Sequence, residues 1–209
     1  MNLQNLLLKI SFIILAYLMG SIPTSYILGK KIKKIDIRDF GSGNVGATNA
    51  LRVLGTKYGV LALIFDMAKG AIPVFAAKHL GFNDFWLIAI ALTAILGHIF
   101  TIFLKFKGGK GVATSAGVFI ALTPAAVGIA LLVFVGVVWI TRYVSLGSIL
   151  AAITLFVTQL IFNIQNGFQS KEILAMIFVI ALFIIIKHKS NIQRLLAGNE
   201  NKLSFKKKN

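Results

Sequence analysis

The chain is poor in the residues that build metal sites and redox centres. Its 209 residues include no cysteine, three histidines and six acidic residues. The absence of cysteine excludes disulfides, thiolate metal sites and a cysteine nucleophile. The histidines and acidic residues are scattered, without an H-E-x-x-H sequence or a cluster of carboxylates, so we expect no dedicated metal site. The sequence therefore implies neither a metal nor a cofactor.

Charged residues are also scarce, at 13%, whereas 57% of the residues are hydrophobic. This composition lies outside that of ordinary soluble domains and predicts an all-α integral membrane protein. A hydrocarbon core of about 30 Å requires roughly 20 apolar residues per helix, which leaves little room for a soluble module. We expect a single polytopic membrane domain over residues 1–209, with a basic cytoplasmic tail at 200–209.

The apolar stretches predict about seven transmembrane helices. Five of them lie at residues 6–28, 58–77, 85–104, 144–162 and 173–186. The remaining stretch, 112–138, is interrupted at Thr123-Pro124, which indicates either one kinked helix or two short ones. Two short helices meeting near Pro124 are favoured, because they leave Arg142 and the basic tail both on the cytoplasmic side.

The basic residues indicate the orientation of these helices. The first span is followed directly by Lys30, Lys31, Lys33 and Lys34. We expect these lysines in the cytoplasm, which places the N-terminus outside and the C-terminus in the cytoplasm. The basic residues that then lie away from the cytoplasmic face are Lys9, Lys69, Lys78 and Lys171. The net charge of +16 is explained by orientation and by binding to anionic membrane lipid, and no aromatic and basic groove supports nucleic-acid binding.

Three polar clusters are predicted on the cytoplasmic side. The first contains Gly41, Ser42, Gly43, Asn44, Thr48, Asn49 and Arg52. The second contains Lys107, Gly108, Gly109, Lys110, Gly111 and Thr114, and the third extends from His188 to Arg194. Glycines allow successive backbone N–H groups to point at an anion, and a neighbouring lysine adds positive charge. Two such loops predict binding sites for two phosphate groups.

Shorter patterns in the same sequence have other interpretations. Gly41, Gly43 and Gly46 match G-x-G-x-x-G, but no buried strand precedes them, so a dinucleotide-binding fold is not expected. The Gly-Gly-Lys-Gly sequence lacks the spacing of a P-loop. For either loop, the alternative is that its glycines only shape turns at helix ends. His79 and Asp84 show the H-x4-D spacing of another class of glycerolipid acyltransferase, but the topology places them outside, and we interpret them as ordinary loop residues.

Three ionisable residues lie within predicted spans. Asp66 and Lys69 are three residues apart in the second predicted helix, which predicts a structural ion pair on one helix face. His98 lies about 13 Å along its predicted helix from the cytoplasmic end. Its position is consistent with either a structural hydrogen bond or a role in the site.

Taken in order, the polar motifs resemble those of a known family. The chain contains Gly20-Ser21-Ile22-Pro23, DIRDFGSGNVGATNALR, Gly97-His98 with FKGGKGVAT, Arg142-Tyr143-Val144-Ser145 and HKSNIQRLLAGNE. This series covers nearly the whole chain and is similar to that of the bacterial acyl-phosphate:glycerol-3-phosphate acyltransferases, the PlsY family. The tail from Lys202 onward is longer and more basic than the family requires.

The resemblance implies an enzyme of phospholipid biosynthesis. Such an enzyme transfers the acyl group from acyl phosphate to the 1-hydroxyl of sn-glycerol 3-phosphate, giving 1-acyl-glycerol 3-phosphate (lysophosphatidic acid) and inorganic phosphate. The resemblance also implies seven helices with the N-terminus outside, location in the bacterial cytoplasmic (inner) membrane, and an active site at the cytoplasmic face. Whether the chain makes a transient contact with the soluble enzyme that produces acyl phosphate is left open by the sequence.

The same resemblance assigns the site residues. It places Ser42, Asn44, Arg52, Lys110, His188 and Asn191 in the substrate site, and we expect catalytic roles for Ser42, Lys110, His188 and Asn191. The expected substrate-binding residues are Gly41, Gly43, Asn44, Thr48, Asn49, Arg52, Lys107, Gly108, Gly109, Gly111 and Thr114. Glu200 lies beside the third motif with a less defined role.

The chemistry of acyl phosphate suits such a site. Acyl phosphate is an activated mixed anhydride, so the protein needs mainly to align the substrates and offset their negative charge. The proton acceptor is either His188 or a substrate phosphate, with the phosphate favoured. The alternative function is a small membrane transporter of an anionic metabolite, because intramembrane polar residues and broken helices also mark carriers. A non-catalytic scaffold would not need two phosphate-type loops.

Overall fold

The computed structural model describes residues 3–203, and all regular secondary structure in that range is helical. The α-helices are α1 (Leu3–Ser21), α2 (Thr24–Lys33), α3 (Ala47–Leu54), α4 (Thr56–His79), α5 (Asp84–Ile99), α6 (Val112–Leu122), α7 (Pro124–Thr141), α8 (Val144–Gln165), α9 (Lys171–Lys187) and α10 (Lys189–Leu196). Two short 3-10 helices lie at Ile37–Asp39 and Ile102–Leu104. The expected all-α class is confirmed, and most of the predicted basic tail, residues 204–209, lies outside the described residues.

Several of these helices are suited to a membrane. Within residues 3–203, five segments are long and apolar enough to cross one, namely Leu3–Lys33, Thr56–His79, Asp84–Leu104, Pro124–Thr141 and Val144–Gln165. The pair α9 and α10 is bent by 56° at its break and makes a sixth segment if counted as one span. Helix α6 is a shorter apolar helix of 11 residues. The chain is therefore a multi-pass membrane protein, whereas the number of seven spans and the orientation stay predictions.

The predicted interruption at Thr123-Pro124 separates two helices. Pro124 lies in the first turn of α7, where its missing N–H leaves no hydrogen bond unmade. The expectation of two short helices is wrong for the second, because α7 has 18 residues and its apolar run continues to Thr141. The first predicted span is also interrupted, since α1 ends at Ser21 and α2 begins at Thr24, after Pro23.

The chain folds as two compact units, one ending at Leu122 and one beginning at Thr123. In the first unit α4 and α5 form an antiparallel hairpin, with α1 packed against α5 and α6 packed against α4. Small residues allow the close approach of α1 and α5. A Cβ atom at Gly20 would lie 2.1 Å from the carbonyl oxygen of Ala94, and one at Gly97 would lie 2.4 Å from that of Tyr17.

The hairpin places the first two polar motifs at one end of this unit. Helix α4 begins directly after the first motif, and α5 ends shortly before the second. A hydrophobic cluster at this end is formed by Ile37, Val45, Ala50, Leu54, Ala62 and Leu104. Val45 belongs to the first motif and Leu104 directly precedes the second, so the cluster joins the two motifs.

In the second unit α7 packs against α8, and α8 packs against α9. Buried polar side chains hold the start of α7 to α8, because Thr123 Oγ1 donates to Gln159 Oε1 at 2.6 Å. Asn163 Nδ2 in turn donates to the Gln159 carbonyl oxygen at 3.0 Å. Such pairing is required where no water is available to satisfy polar groups. Helix α10 follows α9 after a single residue, His188.

Candidate active site

The first motif forms a tight loop that leads into α3. Gly41 and Gly43 have φ angles of +63° and +70°, values that residues other than glycine rarely adopt. Asn44 Oδ1 accepts a hydrogen bond from the Gly46 N–H at 2.9 Å, which closes a turn just before the helix begins at Ala47. Gly41 and Gly43 therefore serve the backbone geometry of the loop.

Asn49 is the hub of this loop. Its Oδ1 accepts from the Ser42 N–H at 2.8 Å, and its Nδ2 donates to the carbonyl oxygens of Ile37 and Phe40, each at 3.1 Å. The side chain is 1% exposed. These three bonds use both amide hydrogens and one lone pair of the oxygen, so the amide of Asn49 positions the loop, and its expected contact with substrate stays a prediction.

The other polar residues of the first motif are more accessible. Ser42 is exposed, and Asn44, Thr48 and Arg52 are half-buried. Thr48 and Arg52 lie four residues apart on α3, so they share one face of that helix. This leaves a hydroxyl-bearing loop beside a helix that carries one guanidinium group.

The second motif is anchored to the end of α5. That α-helix ends at Ile99, and only a 3-10 turn continues the predicted 85–104 span. The Gly108 N–H donates to the Ile99 carbonyl oxygen at 3.0 Å, and the Gly109 N–H donates to that of His98 at 3.1 Å. These N–H groups satisfy carbonyls at the end of the helix. The expected phosphate cradle at 108–111 therefore does not include the N–H groups of Gly108 and Gly109 in this conformation.

The cations of the second motif differ in exposure. Lys107 is exposed, Lys110 is half-buried, and Gly109 and Gly111 are buried. Thr114, expected to bind substrate, is 0% exposed and lies on α6 where that helix packs closely on Gly70 of α4. The structure thus gives Thr114 a packing position and leaves the two lysines as the accessible charges of the segment.

The third motif, in the second unit, is organised by Glu200. Its Oε1 accepts from Asn191 Nδ2 at 2.7 Å and from Ser145 Oγ at 3.0 Å, and its Oε2 accepts from Arg194 Nε at 2.7 Å. Burial raises the pKa of Glu200, but the hydrogen bonds from Asn191, Arg194 and Ser145 outweigh it, and the pKa lies below its ordinary value. Glu200 is 6% exposed. It joins the start of α8, helix α10 and the segment after α10.

Sequence reasoning did not assign roles to Ser145 and Arg194 in this cluster. A signal for the cluster was present, because Glu200 is the only acidic residue after Glu172 in a strongly basic segment. A carboxylate among so many cations is expected to pair with at least one of them.

His188 lies at the junction of α9 and α10 and is 3% exposed. Its Nδ1 lies 2.7 Å from the carbonyl oxygen of Ile184. Because a carbonyl oxygen can only accept, Nδ1 carries the hydrogen in this contact. In the neutral ring, Nε2 is then the nitrogen with a lone pair.

The remaining candidate residues do not contribute to these clusters. His79 ends α4 and Asp84 begins α5, so both lie at the far end of the hairpin from the glycine motifs, and both are exposed. Asp66 and Lys69 form the predicted ion pair, with 2.8 Å between Nζ and Oδ1. Within the described part of the chain, no group of three or more histidine and acidic side chains could hold a metal ion.

Comparison with known proteins supports one family. A family model described as glycerol-3-phosphate acyltransferase matches residues 10–198. A glycerol-3-phosphate acyltransferase of Geobacter sulfurreducens is 48% identical over 190 residues, covering 90% of this chain and 93% of that protein. One from Endomicrobium trichonymphae is 49% identical over 204 residues, covering 97% of this chain and 100% of the relative.

Two solved structures share the fold. One is a crystal structure of PlsY, an integral membrane glycerol 3-phosphate acyltransferase, in its glycerol 3-phosphate form. It has a TM-score of 0.84 and 43% identity and covers 94% of this chain and 96% of that one. The other is the lysophosphatidic acid form of PlsY, with a TM-score of 0.82, 42% identity and coverage of 94% and 95%.

Proposed function

The chain belongs to the glycerol-3-phosphate acyltransferase family, and on that premise we propose the reaction that it catalyses. It transfers an acyl group from acyl phosphate to the 1-hydroxyl of sn-glycerol 3-phosphate and releases lysophosphatidic acid and inorganic phosphate. The two PlsY structures, described as glycerol 3-phosphate and lysophosphatidic acid forms, support this acceptor and this product. The donor is the part of the proposal that rests on chemistry and on the motifs.

The observation that carries the proposal is the junction of the first two motifs in the first unit. Val45 and Leu104 share one hydrophobic cluster, so the Ser42 loop and the Lys110 segment lie at the same end of the α4–α5 hairpin. This end therefore carries a guanidinium on α3 and an ammonium after Gly109. Both substrates are anionic at a phosphate, and cations near both reactants offset that charge.

In the proposed reaction, the 1-hydroxyl oxygen attacks the carbonyl carbon of acyl phosphate. A carbon–oxygen bond forms, the bond between the carbonyl carbon and the phosphate oxygen breaks, and phosphate leaves with the electron pair. Lys110 and Arg52 offset the charge on the phosphates, while Ser42 and Asn44 orient the substrates. Because the donor is already activated, positioning and electrostatics supply most of the required stabilisation.

The proton of the attacking hydroxyl has two candidate acceptors. His188 is one candidate by residue type, because an imidazole can accept a proton, and its Nδ1 contacts the Ile184 carbonyl oxygen. The departing phosphate also gains basic oxygen as its bond to carbon breaks. We favour the phosphate, because it is necessarily next to the reacting hydroxyl, and the roles that the resemblance implies for His188 and Asn191 stay predictions.

We place the enzyme in the bacterial inner membrane with its active site at the cytoplasmic face. The support for this is the distribution of charge: Lys30, Lys31 and Lys33 lie in the last turn of α2, and Lys105 and Lys107 precede the second glycine loop. Basic residues next to spans are retained on the cytoplasmic side. The water-soluble acceptor, glycerol 3-phosphate, would then reach the site from the cytoplasm.

Donor choice tests the proposal. Detergent-purified protein is incubated with radiolabelled glycerol 3-phosphate and, in separate reactions, with acyl phosphate, acyl-CoA or acyl carrier protein. We expect lysophosphatidic acid from acyl phosphate and little or none from the thioesters, because a small anion site does not accommodate a nucleotide or a carrier protein. Comparable rates with acyl-CoA would contradict the donor assignment. Uptake of glycerol 3-phosphate into proteoliposomes without acylation would favour the carrier function instead.

A further inference from the structure

A cluster of ionisable side chains that the proposed reaction does not use is buried within the first unit. Asp66 is 1% exposed, and Lys69 and His98 are each 6% exposed. Ionisable groups within membrane-spanning helices are energetically costly, so they usually persist for a function. Removing Asp66 or Lys69 would leave the other as a buried charge without its partner.

Two members of the cluster connect α4 to the interruption between α1 and α2. Lys69 Nζ donates to Asp66 Oδ1 at 2.8 Å and to the Ile22 carbonyl oxygen at 2.8 Å. Thr24 Oγ1 donates to the same Asp66 oxygen at 3.1 Å. The Ile22 carbonyl, at the interruption made by Pro23, also accepts from the Thr24 N–H at 3.1 Å, so the lysine adds a second hydrogen bond to a turn outside the regular helix.

His98 lies between this ion pair and the second glycine loop. Its Nδ1 is 3.9 Å from Asp66 Oδ1, and the opposite edge of its ring faces Gly109. A Cβ atom at Gly109 would lie 2.1 Å from His98 Nε2, so only a glycine fits against the ring there. The Gly109 N–H also donates to the His98 carbonyl oxygen. The imidazole therefore sets where the backbone one residue before Lys110 can lie.

The chain after Lys110 packs on the same part of α4. Helix α6 begins at Val112, and a Cβ atom at Gly70, the residue after Lys69, would lie 2.3 Å from the Thr114 carbonyl oxygen. One turn of α4 thus contacts α6 directly and reaches the 108–111 loop through His98. The backbone before Lys110, through His98, and the helix after it, through Gly70, therefore both pack next to that turn of α4.

We propose that Asp66, Lys69 and His98 are positioning residues that hold the 108–111 loop so that Lys110 points at the substrate phosphate. This inference rests on the proposed function. The ion pair lies beside His98, and His98 acts on catalysis through the backbone of Gly109. None of the three residues needs to touch substrate.

A double-mutant cycle with His98→Ala and Lys110→Ala tests this coupling. His98→Ala should lower kcat/KM by roughly 10- to 100-fold when Lys110 is present, because a displacement of about 1 Å at a site can have that effect. In the Lys110→Ala background the same change should lower kcat/KM by less than about threefold. Thr93→Val, on the same helix, is the matched control, because the Thr93 hydroxyl donates to the Ala89 carbonyl, further from the Gly109 end of the helix than His98. Equal losses in both backgrounds would contradict the proposal.

A second measurement does not depend on acyl transfer. The chain has no cysteine, so Lys110→Cys accepts a single spin label at position 110. We expect the label to become more mobile when His98→Ala or Asp66→Asn is added, and to stay unchanged with Thr93→Val. Unchanged mobility in all variants would overturn the proposal even if the enzyme is active. If the protein shows no acyl transfer, the proposed function fails, but the mobility of the spin label still shows whether His98 and Asp66 hold the 108–111 loop. If His98→Ala does not give folded protein, His98→Gln takes its place in both experiments.

Discussion

At the residue scale, Lys110 gives the most direct test of the electrostatic role proposed for the second motif. It is half-buried, directly follows Gly109, and is the proposed counter-charge for a phosphate. Lys110→Ala should reduce turnover by roughly 100-fold or more, because a preorganised charge at a site removed from water is typically worth a few kcal/mol. Steady-state assays with acyl phosphate measure this. Lys57→Ala is the control, since it removes an equal charge from an exposed residue at the start of α4. Activity within twofold of wild type in both variants would remove Lys110 from the site.

Asn49 provides a second test at this scale. Asn49→Asp keeps the shape of the side chain but replaces its donor nitrogen with oxygen, which would face the carbonyl oxygens of Ile37 and Phe40. The lost and repulsive contacts should lower the free energy of unfolding by about 1–3 kcal/mol. They should also reduce activity through the Ser42 loop. Thermal unfolding in detergent measures the first effect, with Asn166→Asp as an exposed control. Equal stability of the two variants would contradict the role of Asn49 as the hub.

Asn49 also shows what sequence reasoning can and cannot predict for a single residue. The motif marked the position as a candidate for the site, but it does not tell whether the amide of Asn49 faces substrate or backbone. That distinction depends on where the carbonyls of Ile37 and Phe40 lie after folding, and these residues are 12 and 9 positions away in the chain. Glu200 is similar, because its partner Ser145 is 55 residues away.

At the scale of elements, the Glu200 cluster predicts a pH dependence of stability. The pKa of Glu200 in the folded protein lies below its ordinary value of 4.5. Its carboxylate therefore stabilises the fold above that ordinary value, and this contribution is lost as the pH falls through the lowered folded pKa. The difference in unfolding temperature between wild type and Glu200→Gln should be large near neutral pH and should shrink in acid. A difference that does not change with pH would show that the charge of Glu200 is not what holds α8 and α10 together.

Asp36 is a suitable comparison for that experiment. The hydrogen bond from Arg38 lowers the pKa of Asp36 to about 2, yet the pair is partly solvent-exposed. Solvent-exposed ion pairs contribute little to stability. Asp36→Asn should therefore change the unfolding temperature much less than Glu200→Gln across the same pH range.

The helices themselves were largely predictable, because each apolar stretch is long enough to form one. Their ends were less so. The predicted 85–104 span stops being α-helical at Ile99, because the N–H groups of Gly108 and Gly109 return to satisfy the carbonyls there. The short helices α3 and α10 have eight residues each and lie in segments that were expected only to be polar. Helices this short depend on tertiary packing, which a local pattern does not contain.

At the scale of the whole molecule, the orientation in the membrane can be measured. Single cysteines in this cysteine-free chain report which side of the membrane each loop faces. Ser42→Cys and Lys57→Cys should resist an impermeant thiol reagent in intact cells and react after permeabilisation, because both residues are exposed but are expected in the cytoplasm. Asn83→Cys and Asn166→Cys, also exposed, should react in intact cells. The reverse pattern would place the glycine motifs on the wrong side for a cytoplasmic acceptor.

The convergence of the first two motifs was predictable from topology, since a polar segment before one span and another after the next lie at the same end of a hairpin. The contacts that join them were not, because Val45 and Leu104 are 59 positions apart and meet only through the packing of residues 37–54 against α4. The buried cluster of Asp66, Lys69 and His98 was predictable only as an ion pair and a separate histidine. Its position beneath Gly109 depends on α5 ending at Ile99.

The most direct test of the central claim follows one oxygen atom. Acyl phosphate has two electrophilic centres, the carbonyl carbon and the phosphorus, joined by a bridging oxygen that can be labelled with oxygen-18. If the enzyme transfers the acyl group, attack at the carbonyl carbon leaves the label in inorganic phosphate, and mass spectrometry should find it there with unlabelled lysophosphatidic acid in equal amount. Label recovered instead in free fatty acid, with a second phosphate on the acceptor, would show attack at phosphorus and contradict the assignment of this chain as an acyl-phosphate-dependent acyltransferase.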